Sequence, residues 1–117
     1  IRLREDHVDF IRGTRLYYDT PEFFFVHAGL KPFCTVAENV AQYDDEVFLW
    51  ERSHLQARRL AWEKTVVCGH TPQPEAIVRE HLIAIDTGCV YHTHPRLGRL
   101  TAIRLPEREV VSVPYAG

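Results

Sequence analysis

The chain has no methionine, only three cysteines and no surplus of charge of either sign among its 117 residues. Cys34, Cys68 and Cys89 form no C-x-x-C pair, which excludes a zinc ribbon and gives no basis for a disulfide framework. The expected setting is reducing and cytoplasmic. No apolar run approaches the roughly 20 residues of a membrane helix, and no charged-then-apolar signal segment opens the chain, so no membrane partner is expected. Fourteen Lys and Arg against sixteen Asp and Glu give a net charge of −2. That balance argues against nucleic acid as a partner, as does the absence of a contiguous run among Arg58, Arg59, Arg96, Arg99 and Arg104. Because Ile1 stands where an initiator methionine would, the chain is expected to begin partway through a longer protein. Hydrophobic residues at 45% and charged residues at 26% are ordinary for one globular domain, here residues 1–117.

Along the chain, residues 4–11 read as the end of a helix stopped at Gly13. Residues 16–18 and 23–26 read as a hairpin around the turn Asp19-Thr20-Pro21-Glu22, and the unbroken run Phe23-Phe24-Phe25-Val26 predicts a central strand buried on both faces. Residues 28–42 are expected to be mostly irregular. Residues 44–64 are expected to be helical, with Ser53 capping a second helix and Val47, Trp50, Leu55, Leu60 and Trp62 as apolar anchors. In this reading Trp50 and Trp62 belong to the core and are not base-stacking platforms. Thr65-Val66-Val67-Cys68 and Leu82-Ile83-Ala84-Ile85 are two further buried strands, with a proline-bearing loop after the first and a short helix or extended piece over residues 75–80. Residues 99–105 and 110–113 predict a terminal hairpin. The class is mixed α/β.

Three of these strands end in polar residues followed by turn formers: Val26-His27-Ala28-Gly29, Cys68-Gly69-His70-Thr71-Pro72 and Ile85-Asp86-Thr87-Gly88. In open α/β sheets, ligands bind outside the carboxyl ends of strands. If the three strands are neighbours and run alike, His27, His70 and Asp86 converge on one rim. The two histidines have no local metal-site spacing, so convergence must come from the sheet. Metal ligation and simple hydrogen-bonded capping are both open on spacing alone.

The residues at these strand ends carry a family resemblance. Phe24-Phe25-Val26-His27-Ala28-Gly29-Leu30-Lys31-Pro32 resembles the H-A/G-G-L block of metallophosphoesterases of the phosphoprotein phosphatase (calcineurin-like) type. Leu49-Trp50-Glu51-Arg52 resembles the W-x-R of bacterial members, Val67-Cys68-Gly69-His70-Thr71-Pro72 their G-H-T-P block, and residues 85–91 and 98–102 the strands that follow. The resemblance implies part of a β-sandwich flanked by helices, with His27 and His70 as ligands of one metal and Arg52 on the substrate phosphate. A guanidinium fork suits that role, since it matches two phosphoryl oxygens and stays charged at every working pH. Asp86, Thr71 and Tyr91 are placed around the site, Asp86 as a group orienting a ligating histidine. Implied too are two divalent ions (manganese expected; iron, zinc or magnesium as alternatives) that activate a water for attack on phosphorus.

The family's earlier blocks, G-D-x-H-G, G-D-x-x-D-R-G and G-N-H-E, do not occur in this sequence. The chain therefore resembles the C-terminal half of such an enzyme. The N-terminal half is the expected partner, no residue of the segment is assigned as general acid, and the segment alone is expected to be inactive. The expected activity is serine/threonine protein phosphatase, on a phosphorylated protein or a small phosphoester, with dinucleoside-polyphosphate hydrolysis as the alternative. Two other classes are weighed against it. One is a non-catalytic binding remnant, associating through its exposed half-sheet. The other is a dimeric aspartic protease using Asp86, since apolar-apolar-Asp-Thr-Gly also resembles that active loop. His92-Thr93-His94 with His81 suggests a zinc site, but the surrounding Pro95, Arg96 and Gly98 mark a loop and the cluster is read as fortuitous.

Overall fold

A computed structural model describes residues 2–117; Ile1, on which the reading of the chain start rests, lies outside them. A first helix, α1 (Glu5–Arg12), precedes the hairpin β1 (Tyr17–Asp19) and β2 (Phe23–Val26). The turn between them is fastened by Thr20, whose N–H and hydroxyl both donate to the Phe23 carbonyl. Then follow α2 (Val36–Gln42), α3 (Asp45–Trp50), a single 3-10 turn (Ser53–Leu55), β3 (Thr65–Cys68), β4 (Ile77–Val78) and β5 (Leu82–Ala84). A second 3-10 turn (Cys89–Tyr91) leads to β6 (Arg99–Arg104) and β7 (Glu109–Pro114). The class is mixed α/β, as the sequence predicts, and ends in the expected hairpin.

Five strands form one sheet in the order β1-β2-β3-β5-β4, and β6-β7 form a separate antiparallel pair. The inner strands β2, β3 and β5 are mutually parallel, with Phe24 beside Val66 and Val66 beside Leu82. Their carboxyl ends therefore lie at the same rim. Phe24, Val26, Val66, Cys68, Leu82 and Ala84 share one face and form the core with Leu30, Val36, Phe48 and Trp62 from the β2–β3 crossover. Truncating a fully buried aromatic such as Phe24 costs about 3–5 kcal/mol in comparable cores.

On the other face, Arg108 in the β6–β7 turn donates to the carbonyls of Arg79 and Glu80 and to the Thr65 hydroxyl, and Thr87 bonds Thr101. The hairpin thus covers one end of the sheet. The other end opens into a cleft of about 470 Å³ bordered by Tyr18, Phe25, His27 and Leu49. For this reason β2 alternates between buried and half-buried residues and is not buried on both faces as expected; β3 and β5 are buried throughout.

Several local expectations are corrected. Residues 36–42 are helical, started by a full capping box in which Thr35 and Glu38 exchange side-chain and backbone hydrogen bonds. The predicted helix over residues 44–64 stops at Trp50, and Ser53 does not cap a second one: its hydroxyl bonds the Glu51 carboxylate. Trp62 is buried as predicted, but Trp50 is 66% exposed. Phe48 faces the core from α3, and a residue two positions on lies on the opposite side of the helix. Residues 77–78 resolve the open reading of residues 75–80 as extended. Gly13 ends α1 in a right-handed conformation, its N–H shared among the last carbonyls.

Candidate functional site

His27 follows β2 and His70 lies two residues past β3, and these strands are parallel neighbours. The pairing runs one step beyond the strands, where the Gly69 N–H donates to the His27 carbonyl (2.8 Å). The two imidazoles then meet: His27 Nε2 and His70 Nδ1 are 2.9 Å apart, with ring planes at 65°. That separation is hydrogen-bonding distance for a pair in which one nitrogen carries the proton and the other is bare, the direction being set by the tautomers.

The ring of His70 reaches this position through an unusual backbone. His70 has φ 68, and the Thr71 N–H donates to the Gly69 carbonyl (2.8 Å) across it. This is a three-residue reversal of the strained γ type, in a region that costs a non-glycine residue about 1–3 kcal/mol. Burial lowers the His70 pKa, the neighbouring His27 and Arg52 lower it further, and Asp86 opposes them. A lowered pKa keeps the ring in the neutral form that ligates metals.

Arg52 lies just beyond α3 and not on a helix face; it is exposed and takes part in none of the ion pairs among the described residues. Its flank is held firmly. Glu51 pairs with Lys31 (2.8 Å), joining the segment after α3 to the segment after β2. Burial pushes the Glu51 carboxyl up, but hydrogen bonds from Lys31 and Ser53 outweigh it and hold the group below its ordinary range. Lys31 is itself fixed by the buried Asn39, whose Oδ1 accepts from its N–H and whose Nδ2 donates to its carbonyl. Trp62 Nε1 donates to the same carbonyl (3.0 Å). Closer to His27, the Ala28 N–H donates to the Phe48 carbonyl (2.9 Å) and ties the end of β2 to α3.

His54, which no sequence motif marks, lies under this arrangement. Its ring is fully buried and packs against Gly29 so closely that a Cβ built there would stand 2.0 Å from Cε1. Its Nε2 is 3.6 Å from Cys68 Sγ, and its Nδ1 has no partner. Burial pushes its pKa down to about 4, with Glu51 opposing. His54 therefore touches residues two away from His27 and from His70, and is itself two away from Arg52. No motif in the sequence marks His54, because its packing partners Gly29 and Cys68 lie far from it in the chain.

The remaining candidates are placed as follows. The Asp86 carboxylate accepts from the Gly88 N–H (2.9 Å), forming a turn, and its carbonyl accepts from Gln73. Thr71 is half-buried, with a hydroxyl that has no partner. Tyr91 is 54% exposed and borders a depression with Pro72, His94 and Leu97. His92 stacks on Tyr115 at 3.8 Å and His94 accepts from the Arg96 N–H. Among the described residues, no three His, Cys, Asp or Glu side chains gather where they could hold a metal ion. None of the helices among the described residues is long and apolar enough to cross a membrane.

The His27 and His70 nitrogens fit a shared cation. Zinc–imidazole bonds of 2.0–2.1 Å at a near-tetrahedral angle put two ligating nitrogens roughly 3.3 Å apart, and the 2.9 Å approach needs little adjustment. The donor set is two imidazoles without a carboxylate, so further ligands must come from water or from outside this segment.

No family model matches the chain. It is 50% identical over 54 residues to a bis(5′-nucleosyl)-tetraphosphatase PrpE (asymmetrical) of Bacillus thuringiensis, covering 46% of the chain and 19% of that protein. The same name is carried by a Bacillus cereus protein, 51% identical over 42% of the chain and 18% of its own length. An Anoxybacillus flavithermus protein of that name is 43% identical over 50% of the chain and 22% of its own length. The match thus spans about a fifth of these curated relatives. The likeness supports the phosphoesterase family drawn from the sequence motifs, and hydrolase chemistry in general.

Proposed function

We propose that this chain is part of a metal-dependent phosphoesterase that hydrolyses dinucleoside polyphosphates. The observation that carries the reading is the pair of imidazole nitrogens 2.9 Å apart at neighbouring parallel strand ends, with an exposed arginine close enough to depress the His70 pKa. The names of the relatives favour this substrate over a phosphorylated protein, which the motifs alone had put first.

In this reading His27 Nε2 and His70 Nδ1 would hold one divalent ion between them. When bound, the metal centre supplies Lewis-acid polarisation of the phosphoryl group and a water of lowered pKa. The Arg52 fork grips two phosphoryl oxygens and offsets the charge that gathers on them as the bond to the leaving group breaks. The Lys31–Glu51 pair and Asn39 keep the arginine segment from drifting relative to the histidines. The other ligands and the general acid come from parts of the protein outside this segment, so residues 1–117 alone are inactive.

The test is made on the longer protein. His27→Ala and His70→Ala should each lower bound metal, read by elemental analysis, and should cut hydrolysis of diadenosine tetraphosphate at least a hundredfold by the scale of lost electrostatic catalysis. Diadenosine tetraphosphate should be turned over faster than a phosphoserine peptide. Unchanged metal content in both variants refutes the assignment, and a preference for the phosphopeptide refutes the substrate class.

A further inference from the structure

Trp50 is the largest exposed aromatic side chain near the site, and neither the core nor the proposed ligand set uses it. It is the last residue of α3, 66% exposed, and its ring meets His70 edge to face with centroids 5.3 Å apart. Arg52 is two residues on. An indole left exposed two residues from Arg52 and in edge-to-face contact with His70 offers a flat apolar surface next to the groups to which the proposed function assigns the phosphate and the metal.

We propose that Trp50 is the platform on which the nucleobase attached to the reacting phosphate stacks. The inference rests on the phosphoesterase reading above and deepens it by assigning the nucleoside subsite. In this arrangement Arg52 fixes the phosphate, the sugar spans the gap, and the base lies against the indole. Stacking on an aromatic face works for every base, because each has a π surface, and carries no hydrogen-bond readout. Adenine and guanine nucleotides should therefore bind within a few-fold of one another. The apolar cleft bordered by Tyr18, Phe25 and His27 is the competing location for the base.

The experiment uses the full-length protein and two competing ligands, adenosine 5′-monophosphate and ribose 5-phosphate, which differ only by the base. Trp50→Ala should reduce the preference for the nucleotide over the sugar phosphate by about 5- to 140-fold, the range that loss of one base–aromatic stack produces. Trp50→Phe should restore most of it, and Tyr18→Ala should leave it within twofold. Equal weakening of both ligands by Trp50→Ala, or a large effect of Tyr18→Ala instead, overturns the proposal. So does an indole at position 50 that acrylamide cannot quench in the full-length protein, since the surface would then be covered. Failure here is separable from failure of the function: if His27→Ala abolishes hydrolysis while Trp50→Ala leaves the preference intact, only the base platform falls. If His27→Ala leaves hydrolysis intact, the phosphoesterase site falls and the platform with it.

Discussion

Adding a single methyl group at Gly29 probes how the segments bearing His27, Arg52 and His70 are locked together. A Cβ at this position would stand 2.0 Å from His54 Cε1, 2.5 Å from Nδ1 and 2.6 Å from Nε2, all far inside van der Waals contact. The ring cannot swing away, because it is fully buried between Cys68 and Trp62, with ring centroids 5.9 Å apart on the Trp62 side. Gly29 must then move, drawing with it the chain two residues past His27. Overpacking a filled interior costs about 1–3 kcal/mol, and a contact this short with a ring that has no escape places Gly29→Ala at about 3 kcal/mol. Urea unfolding of the protein carrying this segment measures the cost. A double-mutant cycle isolates its cause: in a His54→Ala background the clash with the ring is gone, so the cost should drop by at least about 1 kcal/mol, leaving the backbone strain of a side chain at φ 159. If Gly29→Ala is neutral, or costs the same with and without the His54 ring, the close packing beneath the histidine pair is refuted.

Two further outcomes follow from the buried groups. The folded-state pKa of His54 lies at about 4 against an ordinary 6.5, so below pH 6.5 the unfolded chain takes up a proton that the folded chain refuses. Stability should be full above neutral pH, decline as pH falls from about 6.5 towards 4, and lose up to about 3 kcal/mol in that window; His54→Gln should flatten this part of the profile, and an unchanged slope would refute it. The Cys68 thiol is pushed up to about 12 by burial and that of Cys34 is also raised, while Cys89 is half-buried. Iodoacetamide near pH 8 should therefore modify Cys89 first, read by peptide mass mapping, and early modification of Cys68 would contradict the core.

The part of the site that was legible in the sequence is the part carried by the sheet. Short apolar strands ending in histidine predict convergence once the strands are parallel neighbours, and β2 and β3 are. What was misread lies in the crossover between them, where tertiary contacts override helical periodicity. Trp62 breaks the supposed second helix because its indole is anchored to the Lys31 carbonyl, and Glu63 turns to accept from the first N–H groups of α2. A helix continuing past residue 50 would put Trp50 in the core, whereas the chain leaves α3 at Glu51 to pair with Lys31. The α2 helix had its T-x-x-E signature in plain view at Thr35 and Glu38, masked by the proline and glycine around it. His54 had no visible motif, since its neighbours Gly29 and Cys68 are distant in the chain.

The left-handed backbone at His70 sets folding and chemistry against each other at one position. A glycine there would relax the hairpin-tight reversal and leave the polypeptide easier to fold, yet it would delete the side chain for which the reversal is shaped. Variants selected only for thermal robustness should therefore drift toward glycine or asparagine at position 70, and would become sturdier as they lost the imidazole that faces His27.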